Sequence, residues 1–424
     1  MKTLRYDNIG ETLYSETLGN GLTVLVLPKP GFTKSYAMFA TDYGGADRRY
    51  MLSGKWTDTP AGVAHFLEHK MFDTPDGGNA LTVLSANGAS PNAFTGSAMT
   101  AYYFESTSGF EENLRMLLDF VSVPYFTDDS VQKEQGIIGQ EIRMIEDSPD
   151  FVVYMNALKC LYEHNPISES VAGSIESIAR ITAQTLYDCH RVFYNPSNMV
   201  LCVVGDVDAQ AVVDIARRAL PAEPGEAPQR DYGPNEGLFP VTKRICKAMA
   251  VSLPQFVIAS KVQPADKGPG TLRQSLAASL AMKYLLGTSS PFYAGLYSSG
   301  DVTGPFDYEL DRSGGVSTVL ISGEGPDPDG VLSKLSAEVS SVVENGVDKE
   351  RFERLRKAYF GASLRSLSSF EGLCQSLAES HFAGCCAMDR YALINNIGTD
   401  EILGFIAENL AAEKLAISIV EPVK

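Results

Sequence analysis

Several things are scarce in this chain of 424 residues. Histidine occurs five times and tryptophan once. The seven cysteines are odd in number and form no C-x-x-C pair, as in Leu201-Cys202-Val203-Val204. They read as reduced, mostly buried thiols of a reducing compartment, not as a disulfide framework. No run of about 18 apolar residues is present, which excludes a transmembrane helix. The opening Met1-Lys2-Thr3-Leu4-Arg5-Tyr6-Asp7 has no apolar signal region, so the expected location is the cytoplasm. Positive charge is also short: the net charge is -17 and the pI about 4.8. That balance argues against nucleic acid and anionic membranes as partners.

What is present is ample apolar material, 44% of the residues, enough for more than one core. Two of the five histidines fall in Gly62-Val63-Ala64-His65-Phe66-Leu67-Glu68-His69, which reads H-x-x-E-H. Residues four apart on a helix share a face, so His65 and His69 can reach one zinc ion together. Glu68 lies on nearly the same face and can act as base toward a water at the metal. This order is the inverted zinc-peptidase signature. Asp58 or Thr59 is expected to cap the helix, with Pro60 in its first turn. Asp73-Thr74-Pro75-Asp76-Gly77-Gly78 ends it.

Strands are expected at 22–27, 35–41, 92–97, 100–107 and 198–205. Helices are expected at 79–86, 110–121, 128–145, 151–162, 182–193 and 208–220. The 128–145 helix carries Glu134 and Glu141 seven residues apart, two turns along one face. Between them stand Gly136 and Gly139, each costing about 1 kcal/mol against Ala in a helix. The expected reason is a close approach by the motif helix. Pro221 to about Phe239 reads as a solvated, semi-rigid linker. The second half repeats the first in outline, with Gly361 or Ala362 where the first has Glu141 and with no H-x-x-E-H. The reading is an α+β fold of two duplicated α/β-roll domains, antiparallel-rich sheets with helices packed on one face. Residues 1–220 bear the zinc, 221–240 link, and 241–424 form the second domain.

A catalytic zinc site needs a third protein ligand and an open position. Glu141, 72 residues after His69, stands on the helix expected beside the motif. At this point the chain resembles the pitrilysin family, which includes insulin-degrading enzyme and the mitochondrial processing peptidase. The resemblance rests on the motif, on Val131-Gln-Lys-Glu134-Gln-Gly-Ile-Ile-Gly-Gln-Glu141-Ile, on Gly88-Ala-Ser-Pro-Asn92-Ala93-Phe94-Thr95, and on Asn195-Pro196 followed by Gly205-Asp206. It implies His65, His69 and Glu141 as zinc ligands, Glu68 as general base and Glu134 as a supporting acceptor for a ligand histidine. It also implies that Asn92 and Ala93 open an edge strand that pairs with the substrate main chain. The implied activity is hydrolysis of flexible peptides or unfolded segments.

One part of the pattern is missing. The family places an Arg and a Tyr in the second half, facing the zinc site. Here Tyr297 stands where the Arg is expected and Gly304-Pro305 where the Tyr is. The expectation is therefore a heterodimer with a related, motif-less subunit that supplies the Arg/Tyr side. The competing reading is a non-catalytic peptide-binding or assembly subunit that keeps a zinc site.

Overall fold

In the computed structural model, which describes residues 1–423, continuous apolar runs become the innermost strands. The first half of the chain forms β1 (Lys2–Tyr6), β2 (Glu11–Thr17), β3 (Thr23–Pro28), β4 (Ser35–Thr41), β5 (Arg49–Leu52), β6 (Lys55–Asp58), α1 (Val63–Lys70), α2 (Ala80–Ala86), β7 (Ala89–Thr95), β8 (Thr100–Ser106), α3 (Phe110–Ser122), α4 (Asp128–Glu146), α5 (Pro149–Leu161), α6 (Ile175–Ile178), α7 (Ala183–Phe193), β9 (Met199–Gly205), α8 (Ala209–Ala219) and β10 (Gln229–Arg230). The second half forms β11 (Arg244–Met249), β12 (Gln255–Val262), α9 (Pro269–Leu286), α10 (Pro291–Ser299), β13 (Asp307–Asp311), β14 (Ser317–Glu324), α11 (Pro328–Asn345), α12 (Lys349–Arg365), α13 (Phe370–Phe382), α14 (Arg390–Leu393), α15 (Thr399–Asn409) and β15 (Ala416–Pro422).

Two sheets follow one plan. The first has the order β1-β2-β3-β9-β4-β8-β7 and the second β11-β15-β12-β14-β13. In the first, β3 and β9 are parallel and every other pair is antiparallel. In the second, β11 and β15 are parallel and the rest antiparallel. The duplication expected from sequence is thus a duplication of strand order, β3-β9-β4-β8-β7 matching β11-β15-β12-β14-β13. All residues of β4 and β9 are buried, so both faces of the first sheet's centre are covered and no polar alternation is needed there.

The compact units do not coincide with the contiguous halves 1–220 and 241–424. One unit comprises residues 1–142, 170–232 and 364–388; the other comprises 143–169, 233–363 and 389–424. Each sheet is covered by a helix encoded in the other half. Helix α5 packs on β12 and β15, where Ala157, Leu158, Cys160 and Leu161 join Val257, Ala259, Leu320, Ala416 and Val420 in one core. Helix α13 packs on β9 and β4, and its Cys374 Sγ lies 3.5 Å from the Cys202 carbonyl oxygen. An apolar helix face specifies that it must be buried, not which of two similar sheets buries it.

The segment expected to be a free tether is held down over its second part. Residues 221–227 are exposed. From there Gln229–Arg230 pairs with β5, and the half-buried Arg230 guanidinium meets Asp42 (3.2 Å) and the buried Asp47 (2.9 Å). The Tyr232 hydroxyl donates to Asp47 Oδ1 at 2.7 Å. Within the other unit, Glu236 accepts from the backbone N–H groups of Glu163, His164 and Asn165.

Candidate metal centre

Helix α1 starts later than its sequence promises. Lys55–Asp58 is the second strand of a hairpin, so neither Asp58 nor Thr59 caps the helix and Pro60 lies outside it. Gly62 takes the cap position with φ 94° and no side-chain hydrogen bond. A Cβ there would lie 2.6 Å from the Ala172 carbonyl oxygen, so both the left-handed backbone and the close approach require glycine. Phe66 and Leu67 are fully buried and Val63 and Ala64 nearly so, which fixes the helix's rotation about its axis. The same rotation turns His65 and His69 to one side, their ring centroids 4.6 Å apart.

Helix α4 brings the carboxylates. Glu141 Oε1 lies 3.6 Å from His65 Nε2, and Glu141 Oε2 lies 3.6 Å from His69 Nε2. The three ligand atoms of His65, His69 and Glu141 are all within 4.8 Å of one another. Donors about 2.0–2.1 Å from a tetrahedral zinc ion stand about 3.3 Å apart, so this spacing fits one ion with little adjustment. The glycines between the two glutamates do not mediate the approach: a Cβ on Gly136 or Gly139 would meet nothing within 4 Å. The reach of the glutamate side chains closes the gap instead.

Glu134 Oε1 lies 3.0 Å from His69 Nδ1. An ionised carboxylate only accepts, so Nδ1 carries the proton, which leaves Nε2 as the nitrogen available to a metal ion. The other Glu134 oxygen lies 3.7 Å from the ammonium of Lys70, a buried lysine that also pairs with Asp73. Burial pulls the pKa of His69 down, but its hydrogen bond to Glu134 and the charges of Glu68, Glu134 and Glu141 outweigh it and leave it above an ordinary histidine's. Burial likewise raises Glu134, and the His69 contact with the Lys70 charge more than offsets it, so its carboxyl sits below the usual range. Glu141 is lowered chiefly by the facing His65 imidazole, against burial. The field of the site thus favours positive charge between these side chains, which a divalent cation supplies.

Glu68 is 9% exposed, on the same helix as both imidazoles. Its Oε2 accepts from the Thr95 hydroxyl at 2.6 Å. Thr95 was not singled out from sequence. The only signal available was its place at the end of the Asn92–Thr95 block. That block forms β7, which spans Ala89–Thr95 rather than the expected 92–97, because Gly96–Met99 turns the chain into β8. Strand β7 is the edge of its sheet and packs beside α1. Asn92 and Ala93 lie within it rather than at its start. The Ala93 N–H donates to the Asn92 side-chain oxygen at 2.9 Å.

This geometry meets independent support from relatives. Residues 51–174 match the family described as "Insulinase (Peptidase family M16)", and residues 180–359 match the "Peptidase M16 inactive domain". The chain is 37% identical over 432 residues to the zinc protease YmfH of Bacillus subtilis (strain 168), covering 100% of this chain and 99% of that one. The chain belongs to the M16 insulinase family. An M16-like peptidase from Alicyclobacillus acidocaldarius has the same fold with a TM-score of 0.93 and 32% identity, covering 100% of both chains. Pitrilysin, at 18% identity, shares the fold alone: its TM-score is 0.79, over 99% of this chain and 46% of that one.

Family and geometry agree on the cofactor. Relatives named zinc proteases point to zinc, and His65, His69 and Glu141 form a group that could hold such an ion. No helix among the described residues is long and apolar enough to cross a membrane.

Proposed function

We propose that this chain is a zinc-dependent metalloendopeptidase that cleaves flexible peptides or unfolded segments in the cytoplasm, working as a heterodimer with a motif-less homologue. The observation that carries the reading is the convergence of three ligand side chains with a buried carboxylate, Glu68, on the same helix. The metal-capable group has three protein members, which leaves a coordination position open; a structural zinc is usually closed by a fourth. A structural site also has no use for a base beside the ion.

When bound, zinc polarises the scissile carbonyl and brings the pKa of water toward about 7. The rest falls to the side chains. A substrate segment adds to the exposed edge of β7, its main chain meeting that of Asn92 and Ala93. Glu68 takes a proton from the attacking water as the C–O bond forms, then delivers it to the leaving amine as the C–N bond breaks. Glu134 holds the His69 ring in one tautomer throughout.

The partner part of the proposal rests on Tyr297 and Gly304-Pro305, which stand where the family uses Arg and Tyr. The test is cleavage of a flexible peptide by the zinc-loaded chain, alone and with its companion subunit, beside Glu68→Gln. The expected result is cleavage only with the companion, and none with Glu68→Gln although its zinc is retained. Robust cleavage by the chain alone overturns the heterodimer. Unchanged cellular function in Glu68→Gln favours the scaffold reading instead.

A further inference from the structure

The Thr95 hydroxyl is held from several sides. Thr95 ends β7 and pairs with Thr100, the first residue of β8. The Gly96–Met99 turn between them is closed by Gly96 N–H donating to the Met99 carbonyl at 2.8 Å. It is further tied to the loop after β4 by the N–H groups of Gly45 and Ala46, which donate to the Gly96 and Ser97 carbonyls at 3.0 and 2.9 Å. Thr100 is fully buried and spends its own hydroxyl proton on the Tyr43 carbonyl at 2.9 Å. Its oxygen lies 3.4 Å from that of Thr95. The Thr95 proton is therefore free to go to Glu68, at 2.6 Å, within the range of a hydroxyl bound to a carboxylate.

We infer that Thr95 is a positioning residue for the general base: its hydroxyl pins Glu68 Oε2 so that Oε1 is the oxygen offered to the reacting water, and it ties the base to the strand that receives the substrate. This inference rests on the peptidase reading and adds a residue to it. A glutamate carboxylate is free to rotate about its last torsion. A base that must meet a proton within hydrogen-bond reach gains from having that rotation stopped before substrate arrives. Because Thr95 follows Ala93 by two residues on one strand, the element that fixes the substrate main chain also fixes the base. Registration of the two requires no further moving part.

The test uses the full chain, zinc-loaded and with its companion subunit. Thr95→Val keeps the branched shape and removes the hydroxyl; Thr95→Ser keeps the hydroxyl. Thr95→Val should lose about tenfold or more in kcat, with KM and zinc content within about twofold of the parent, and Thr95→Ser should recover most of that loss. A Thr95→Val enzyme with parental kcat overturns the inference. So does a Thr95→Ser enzyme as slow as Thr95→Val, since packing alone would then be the cause. Should the parent protein cleave nothing, the peptidase reading fails, and the contact is judged by thermal melts. Thr95→Val should lower the melting temperature in the parent but not in a Glu68→Ala background; additive shifts overturn it.

Discussion

Strands β3-β9-β4-β8-β7 and β11-β15-β12-β14-β13 run in the same order with the same single parallel pair, yet the H-x-x-E-H helix stands beside the edge of the first set. After β4 the chain makes a hairpin and then α1, with His65, Glu68 and His69. After β12 it makes α9, Pro269–Leu286, which contains neither histidine nor an acid. Helix α4 presents Glu134 and Glu141; the sequence of α12 offers Gly361 or Ala362 in the place of Glu141. The lesson is that the framework is indifferent to the chemistry. Sheet order and helix packing are set by apolar burial, which both copies retain. The metal centre needs only five polar side chains that contribute little to that burial, so one copy can lack them and still fold.

The largest effect should come from the centre itself. His65→Ala or Glu141→Ala should abolish zinc retention, checked by metal analysis of the purified protein, and reduce cleavage more than about 10³-fold. Melting of the second sheet's core should not change. A variant that keeps stoichiometric zinc would break the claim that one copy alone carries the chemistry.

The exchanged helices give the next test. Leu158 of α5 and Leu377 of α13 are each essentially fully buried. Truncation of either to Ala should cost about 2–5 kcal/mol. Hydrogen exchange should localise the damage: Leu158→Ala loosens β12 and β15, although Leu158 is encoded in the first half, while Leu377→Ala loosens β9 and β4. Damage confined to the encoding half would refute the exchange.

A smaller effect is expected at Glu134. Glu134→Ala removes the acceptor for His69 Nδ1 and should weaken zinc affinity by about 10–100-fold in chelator competition, without abolishing binding. Affinity equal to the parent's would mean that Glu134 merely neutralises Lys70.

The smallest concerns the clasp on the linker. Burial raises Asp47 to about 6, although Arg230 and the Tyr232 hydroxyl oppose this. The folded protein therefore binds this proton before the unfolded chain does, whose ordinary value is 3.8. Stability from this group falls as pH rises from about 4 to about 6, and is regained on acidification. Melting temperatures of the parent, measured against Asp47→Asn over that range, should converge on or pass the variant's as pH rises and separate in the parent's favour as it falls. Parallel curves would show that Asp47 titrates as an ordinary carboxyl.

Much of the centre was legible in the chain because helical period is a local property. His65 and His69 share a face whenever residues 63–70 are helical, and Glu134 and Glu141 do so on α4. The start of α1 departs from the local pattern because Asp58 and Thr59 are good caps in isolation, whereas the hairpin β5–β6 competes for those residues and wins. Gly136 and Gly139 depart from expectation for a similar reason: a glycine pair is consistent with a close neighbour, but the packed fold puts none there. Thr95 gave no local signal at all, since a threonine ending a strand is unremarkable until the strand is placed beside α1.

Taken alone, the order of residues determined the inverted zinc motif, the distant acidic block, the apolar strands and the doubled plan, since each depends on spacing within one element or on composition. The tertiary structure decided which carboxylates reach the imidazoles, that the Thr95 hydroxyl meets Glu68, and that α5 and α13 each cover a sheet from the other half. These are meetings between elements far apart in the chain. Burial of apolar surface is non-directional, so it drives such meetings without naming the partner, and only the packed fold resolves the choice.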